Sequence, residues 1–148
     1  TIATFIEFMK KSNESMHSMF KVITNIEDVV DRNTVKVILD KNRNALYFSR
    51  TPLPNYRDLS EEIQPDNYNC FSKKIYYKHI GVYGYKNQFL LAYSKMNVSY
   101  LENAEKLEQL RAIENGFKIG MMETFEDTVG IDTYEDYNKL LKYFNIKL

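Results

Sequence analysis

His79 and Tyr83 lie four residues apart in a segment, Ile75 to Tyr85, where Tyr, His and Gly alternate with Lys78, Ile80 and Val82. In a strand's two-residue repeat both rings share one face. Gly81 between them leaves a gap where a ligand can come close to the backbone. The alternative is a histidine hydrogen-bonded inside the core, and residue type alone does not separate the two. Arg50 stands at the exit of a second strand-like run, Ala45 to Ser49. A guanidinium there can grip a carboxylate through two parallel bonds, or it can be an ordinary surface arginine. Arg57 is a weaker second candidate for that role. Glu108 and Gln109 fall in a run of helical periodicity beside Leu107 and Leu110, which puts Glu108 at the border of the apolar stripe. A half-buried carboxylate at that border can meet a ligand; a solvated helix face is the plain alternative. Asp132 directly precedes Thr133, which with Asp136 reads as a helix cap. The positive end of a helix keeps a carboxylate ionised, and an ionised carboxylate at a sheet edge suits a hard cation. Asp132 as the cap itself is the other reading.

These residues need elements to position them. Ile2, Phe5, Ile6, Met9, Met16, Met19 and Phe20 recur at spacings of three, four and seven, which predicts one or two helices over residues 2–20, interrupted at Ser12-Asn13. Val35 to Leu39 and Ala45 to Ser49 read as strands, joined by the polar turn Asp40 to Asn44 into a hairpin. Pro52 and Pro54 force an extended exit, and residues 55–73 read as a loop. Asn87 to Lys95 reads as a short helix. Ser99-x-x-Glu102 is a capping box that opens a helix with Leu101, Ala104, Leu107, Leu110 and Ile113 buried, closed at Gly116. On that helix Glu105 and Arg111 read as ordinary surface pairing. Lys118 to Met122 reads as a strand and residues 134–143 as a last helix. The alternation predicts one α/β domain over residues 1–148, a mixed, twisted sheet with flanking helices. Such sheets bind ligands beyond their strand ends, so Arg50, His79, Tyr83, Glu108 and Gln109 are expected to converge on one cleft.

Composition narrows the function classes. Lys plus Arg and Asp plus Glu number 20 each, with no basic segment of the kind a nucleic-acid binder shows. No apolar run is long enough to span a bilayer, and the first residues lack a secretory pattern. The lone Cys70 forms no internal disulfide and fits a reducing cytoplasm. The two histidines, His17 and His79, are far apart, and no zinc-ligand spacing occurs.

Five stretches in order carry a family resemblance: Val35 to Asp40; Ala45 to Arg50 with Pro52 and Pro54; His79-Ile80-Gly81-Val82-Tyr83-Gly84-Tyr85; Leu107 to Ala112 followed by Glu114-Asn115-Gly116; and Gly130-Ile131-Asp132-Thr133. Together, over about residues 21–144, they resemble the 3-deoxy-manno-octulosonate cytidylyltransferase family, which couples CMP from CTP to the sugar acid Kdo. The resemblance implies a nucleotide-diphospho-sugar transferase-like fold, of which this is the C-terminal part. It implies that Arg50, His79, Tyr83, Glu108 and Gln109 hold the sugar and that Asp132 is a catalytic Mg²⁺ ligand. It also implies a homodimer paired through residues 35–50.

Two departures qualify it. The basic, phosphate-gripping loop and the acidic metal-binding turn of the family are not in these residues, and residues 1–20 do not match. The expectation is therefore a chain that is no complete catalyst alone: an excerpt of a longer enzyme, one half of a split enzyme with a partner chain, or a degenerate relative. Alternatives are a relative activating another acidic sugar, such as 8-amino-Kdo or a sialic-acid-like sugar, and a non-catalytic sugar-binding or assembly subunit.

Overall fold

A computed structural model describes residues 1–56, 76–126 and Leu141. Helix α1 spans Ile2–Lys11 and is followed by strand β1, Met16–Val22. The helix α2 is Ile26–Val30. The hairpin strands β2 and β3 are Lys36–Leu39 and Ala45–Ser49, and β4 is Tyr77–Tyr85. Helices α3, α4 and α5 are Asn87–Tyr93, Tyr100–Glu105 and Leu110–Glu114, and β5 is Ile119–Glu123.

The strands form one sheet in the order β3-β2-β4-β1-β5. Only β1 and β5 run parallel; the other neighbours are antiparallel. The sheet is therefore mixed, as expected, and the hairpin closes at the predicted turn. That turn also reaches the far edge: Asn44 bridges to Gly120, and Met121 N–H donates to Arg43 O at 2.9 Å. The twisted sheet thus curls until its two edge strands meet at one end. Inside the curl, Met16, Phe20, Phe48, Ile119 and Met121 pack against Phe89, Leu107 and Leu110. On the opposite face Phe5 of α1 covers Met19 and Ile80.

Two expectations are corrected. Met16, Met19 and Phe20 belong to β1, not to a helix, and only Ile2–Lys11 is helical. Every residue from Met16 to Phe20 is buried, because β1 is central and covered on both faces. Such a strand shows no alternation, and its apolar spacing imitates a helix. The second correction concerns residues 100–114. The capping box forms as predicted, with Ser99 Oγ accepting from Glu102 N–H. The helix nonetheless stops at Lys106, which adopts φ 55° and ψ 47°, and Leu107 N–H reaches back to Glu102 O at 3.2 Å. This is a Schellman stop with lysine where glycine is usual. Ala104 consequently faces solvent. Gly116, at φ 80°, ends α5 in the same way, with Phe117 N–H donating to Ala112 O at 3.0 Å.

Lys36 is fully buried. Its Nζ donates to the carbonyls of Asp31 at 2.8 Å, Thr34 at 2.5 Å and Arg50 at 2.7 Å. It ties the end of α2 to the end of β3. Among the described residues no helix is long and apolar enough to cross a membrane. Arg57, Cys70, Asp132, residues 57–73 of the predicted loop and all of the last helix at 134–143 except Leu141 lie outside the described residues.

Candidate functional site

The site begins with an irregularity in β4. His17 pairs with Gly84 and Met19 with Ile80, so Gly81, Val82 and Tyr83 together face Ser18. A bulge of this kind re-aims side chains. Ser18 Oγ lies 3.1 Å from Ile80 O, 2.9 Å from Val82 O and 2.8 Å from His79 Nε2. A hydroxyl has one proton and a carbonyl has none to give. With the Ser18 proton directed to these carbonyls, Ser18 Oγ accepts from His79, whose neutral form then carries its proton on Nε2. Burial lowers its pKa to about 4, so it stays neutral at pH 7. Its ring meets Phe48 edge-on at 4.8 Å and Tyr83 at 5.5 Å. His79 is thus a bonded core histidine that backs Tyr83.

Tyr83 leads outward. Its hydroxyl donates to Gln109 Oε1 at 3.0 Å. Beside this bond opens a cavity of about 260 Å³ whose lining includes Tyr83, Tyr85, Tyr93, Lys106, Glu108 and Gln109. Glu108 and Gln109 are not inside a helix, as the periodicity implied, but in the turn that Lys106 creates between α4 and α5. Gln109 is buried and Glu108 exposed. Tyr93 OH donates to Glu108 O at 2.7 Å, which fixes the turn from the other side. Burial raises the Tyr93 pKa to about 12 and moves Tyr83 and Tyr85 in the same direction. All three phenols are therefore protonated at neutral pH and able to donate.

Behind the turn, Arg111 Nε bonds Glu102 Oε2 at 2.7 Å, its Nη2 bonds Glu102 Oε1, and its guanidinium stacks 5.0 Å from the Tyr93 ring centroid. Arg111 thus pairs with Glu102 rather than lying on the helix surface. Glu105 is drawn to β3 instead. It accepts from Ser49 Oγ at 2.7 Å, Tyr47 OH at 3.4 Å and Arg50 N–H at 3.1 Å.

The structure therefore brings Tyr83, Glu108 and Gln109 together around one cavity, with His79 behind Tyr83 and not in the lining. Arg50 is not among the lining residues. Its Nε donates to Glu105 O at 3.1 Å and its Nη1 to Arg32 O at 3.0 Å, which fastens the end of β3 to the end of α4. Ser18, Glu105 and Lys106 are the site-shaping residues that the sequence reading passed over. A serine inside an apolar run was the available signal for Ser18; nothing marks a lysine for a left-handed turn. Among the described residues no group of three or more His, Cys, Asp or Glu is placed to hold a metal ion.

The sequence profile of the cytidylyltransferase family matches residues 1–143. The chain belongs to the cytidylyltransferase family. The match takes in residues 1–20, which showed no likeness by motif. A 3-deoxy-manno-octulosonate cytidylyltransferase of Geotalea uraniireducens is 42% identical over 131 residues, 88% of this chain and 52% of that protein. One of Fusobacterium nucleatum is 40% identical over 151 residues, 99% of this chain and 57% of that protein. A solved structure of CMP:2-keto-3-deoxy-manno-octonic acid synthetase complexed with CTP superposes with a TM-score of 0.82 at 29% identity, covering 99% of this chain and 56% of that one. The chain thus spans about half the length of the relatives it matches.

The buried imidazole of His79 sets an acid limit on the chain's stability. The unfolded state takes a proton on His79 as pH falls below about 6.5, whereas the folded state resists until about 4. Stability present above pH 6.5 is therefore lost on the way down to 4, by up to about 3 kcal/mol. His17, also lowered by burial, acts in the same direction. Denaturant titrations at pH 7 and pH 4.5 should show a smaller drop for His79→Gln than for the unaltered chain. Equal drops would refute the buried neutral histidine.

Proposed function

We propose that this chain is the sugar-acid-binding part, at the C-terminal side, of an enzyme that transfers CMP from CTP to Kdo. The observation that carries the reading is the cavity in which Tyr83, Glu108 and Gln109 meet, in a chain whose relatives are named for that reaction. A Kdo hydroxyl attacks the α-phosphorus of CTP and pyrophosphate leaves, a step governed by positioning and charge neutralisation. In this reading Glu108 and the Tyr83 oxygen accept from sugar hydroxyls, the Tyr83 proton staying on Gln109 Oε1, while the Gln109 amide N–H groups donate. Neutral His79 holds the Tyr83 ring, and Arg50 fixes the β3 end beside α4. Mg²⁺, held in part by Asp132, would neutralise phosphate charge. Pairing through the β2–β3 hairpin, where Leu46 is exposed, gives a homodimer, and the setting is cytoplasmic.

The 148-residue chain supplied alone with CTP, Kdo and Mg²⁺ should release no pyrophosphate above a blank. The complete protein should do so, and Tyr83→Phe in it should raise KM for Kdo about tenfold, the worth of one buried hydrogen bond, with KM for CTP unchanged. Pyrophosphate release by the isolated chain would overturn the half-catalyst reading. Faster turnover with 8-amino-Kdo or a sialic acid than with Kdo would replace the substrate.

A further inference from the structure

We infer that Lys106 is the cation that receives the carboxylate of the acidic ligand in the Tyr83–Gln109 cavity, an inference that rests on the sugar-acid reading above. Three separate observations lead to it. Lys106 is the single cation among the described residues that line the cavity. Of the other basic groups near the α4–α5 segment, Arg111 is paired with Glu102, Arg50 spends Nε and Nη1 on the backbone carbonyls of Glu105 and Arg32, and neither lines the cavity. The backbone of Lys106 is in the left-handed region, with φ 55° and ψ 47°. A non-glycine residue there is strained, and such strain persists where the surroundings or the task demand it.

The position is one where glycine serves the backbone better. Lysine adds an ammonium at the mouth of a cavity that already carries the Glu108 carboxylate. Without a cation, Glu108 would repel any acid that entered. Lys106 Nζ has three donors, and one goes to Asn103 Oδ1 at 2.5 Å. That bond uses one donor and leaves further N–H groups for a carboxylate. The division of labour is then simple: Glu108, Gln109 and Tyr83 address hydroxyls, and Lys106 addresses the acid function.

The glycine preference of the site supplies a clean test, because Lys106→Gly deletes the ammonium while relieving the backbone. Binding of Kdo and of its uncharged C1 methyl ester to this chain is measured by calorimetric titration, alongside the melting temperature. The expected result is that Lys106→Gly weakens Kdo about tenfold, as loss of a charge-assisted contact does. The ester should bind the variant as it binds the unaltered chain, the melting temperature should hold or rise, and Lys106→Arg should retain most of the Kdo affinity. Equal Kdo affinity for Lys106→Gly and the unaltered chain overturns the inference and leaves the sugar-acid reading standing. Equal weakening of Kdo and ester also overturns it, since that marks a structural role. Binding of neither ligand to the unaltered chain overturns the sugar-acid reading and this inference with it.

Discussion

Lys36→Met should lower the melting temperature of this chain by roughly 12 °C, the equivalent of about 4 kcal/mol for a protein of this size. The buried ammonium satisfies three carbonyls at once, those of Asp31, Thr34 and Arg50. Methionine fills a similar volume but leaves all three acceptors without a donor, and each orphaned acceptor costs roughly 1–3 kcal/mol. Burial lowers the Lys36 pKa to about 8, so the group is charged at pH 7 and all three N–H bonds are available. Lys41→Met, at an exposed turn position, is the control and should move the melting temperature little. A drop for Lys36→Met no larger than that of the control would show that the three bonds contribute nothing net.

A comparable loss, about 4 kcal/mol, is expected for Glu102→Ala. The Glu102 and Arg111 side chains are only 8% and 15% exposed. Removing one member of a buried pair leaves the other charge unpaired in a poor environment. Glu102 also accepts from Ser99 N–H at 3.2 Å, so the start of α4 loses its capping box as well. A double-mutant cycle with Arg111→Ala separates the two effects. The double variant should be more stable than the sum of the single losses implies, because the stranded guanidinium is gone. Strict additivity would mean that the pair is not coupled and that capping accounts for the whole change.

How much of this was legible depended on the range of the forces involved. The hairpin, the capping box at Ser99, strand β4 and the stop at Gly116 follow from neighbours a few residues apart, and those were read correctly. Strand β1 was misread because its burial on both faces comes from α1 on one side and from Phe89, Leu107 and Leu110 on the other, most of which is not local. The break at Lys106 was invisible for a related reason. No propensity favours lysine in a left-handed turn; the surrounding packing imposes it. The consequence fell on the site. His79 and Tyr83 could be placed on one face from their spacing, but the turn that brings Glu108 and Gln109 to them could not be foreseen. Glu105 looked like an ordinary helix-surface residue because helix spacing is a local rule, whereas its actual ties run to Ser49 and Arg50 across the fold.

The pairing of β1 with β5 bears on how the chain acquires its structure. Met16 sits beside Ile119 and Phe20 beside Glu123, so the ladder that adds the edge strand joins segments about a hundred residues apart in the chain, and closing a loop that long is slow. During synthesis β1 leaves the ribosome before β4 and β5, can pair first only with β4, and keeps one side open until β5 arrives. Its run of buried apolar residues is then an exposed, unpaired edge, the kind that recruits other chains. Refolding should accordingly be slow and yield should fall with protein concentration, with the Met16–Phe20 segment the last to gain protection from amide exchange on the side that faces β5.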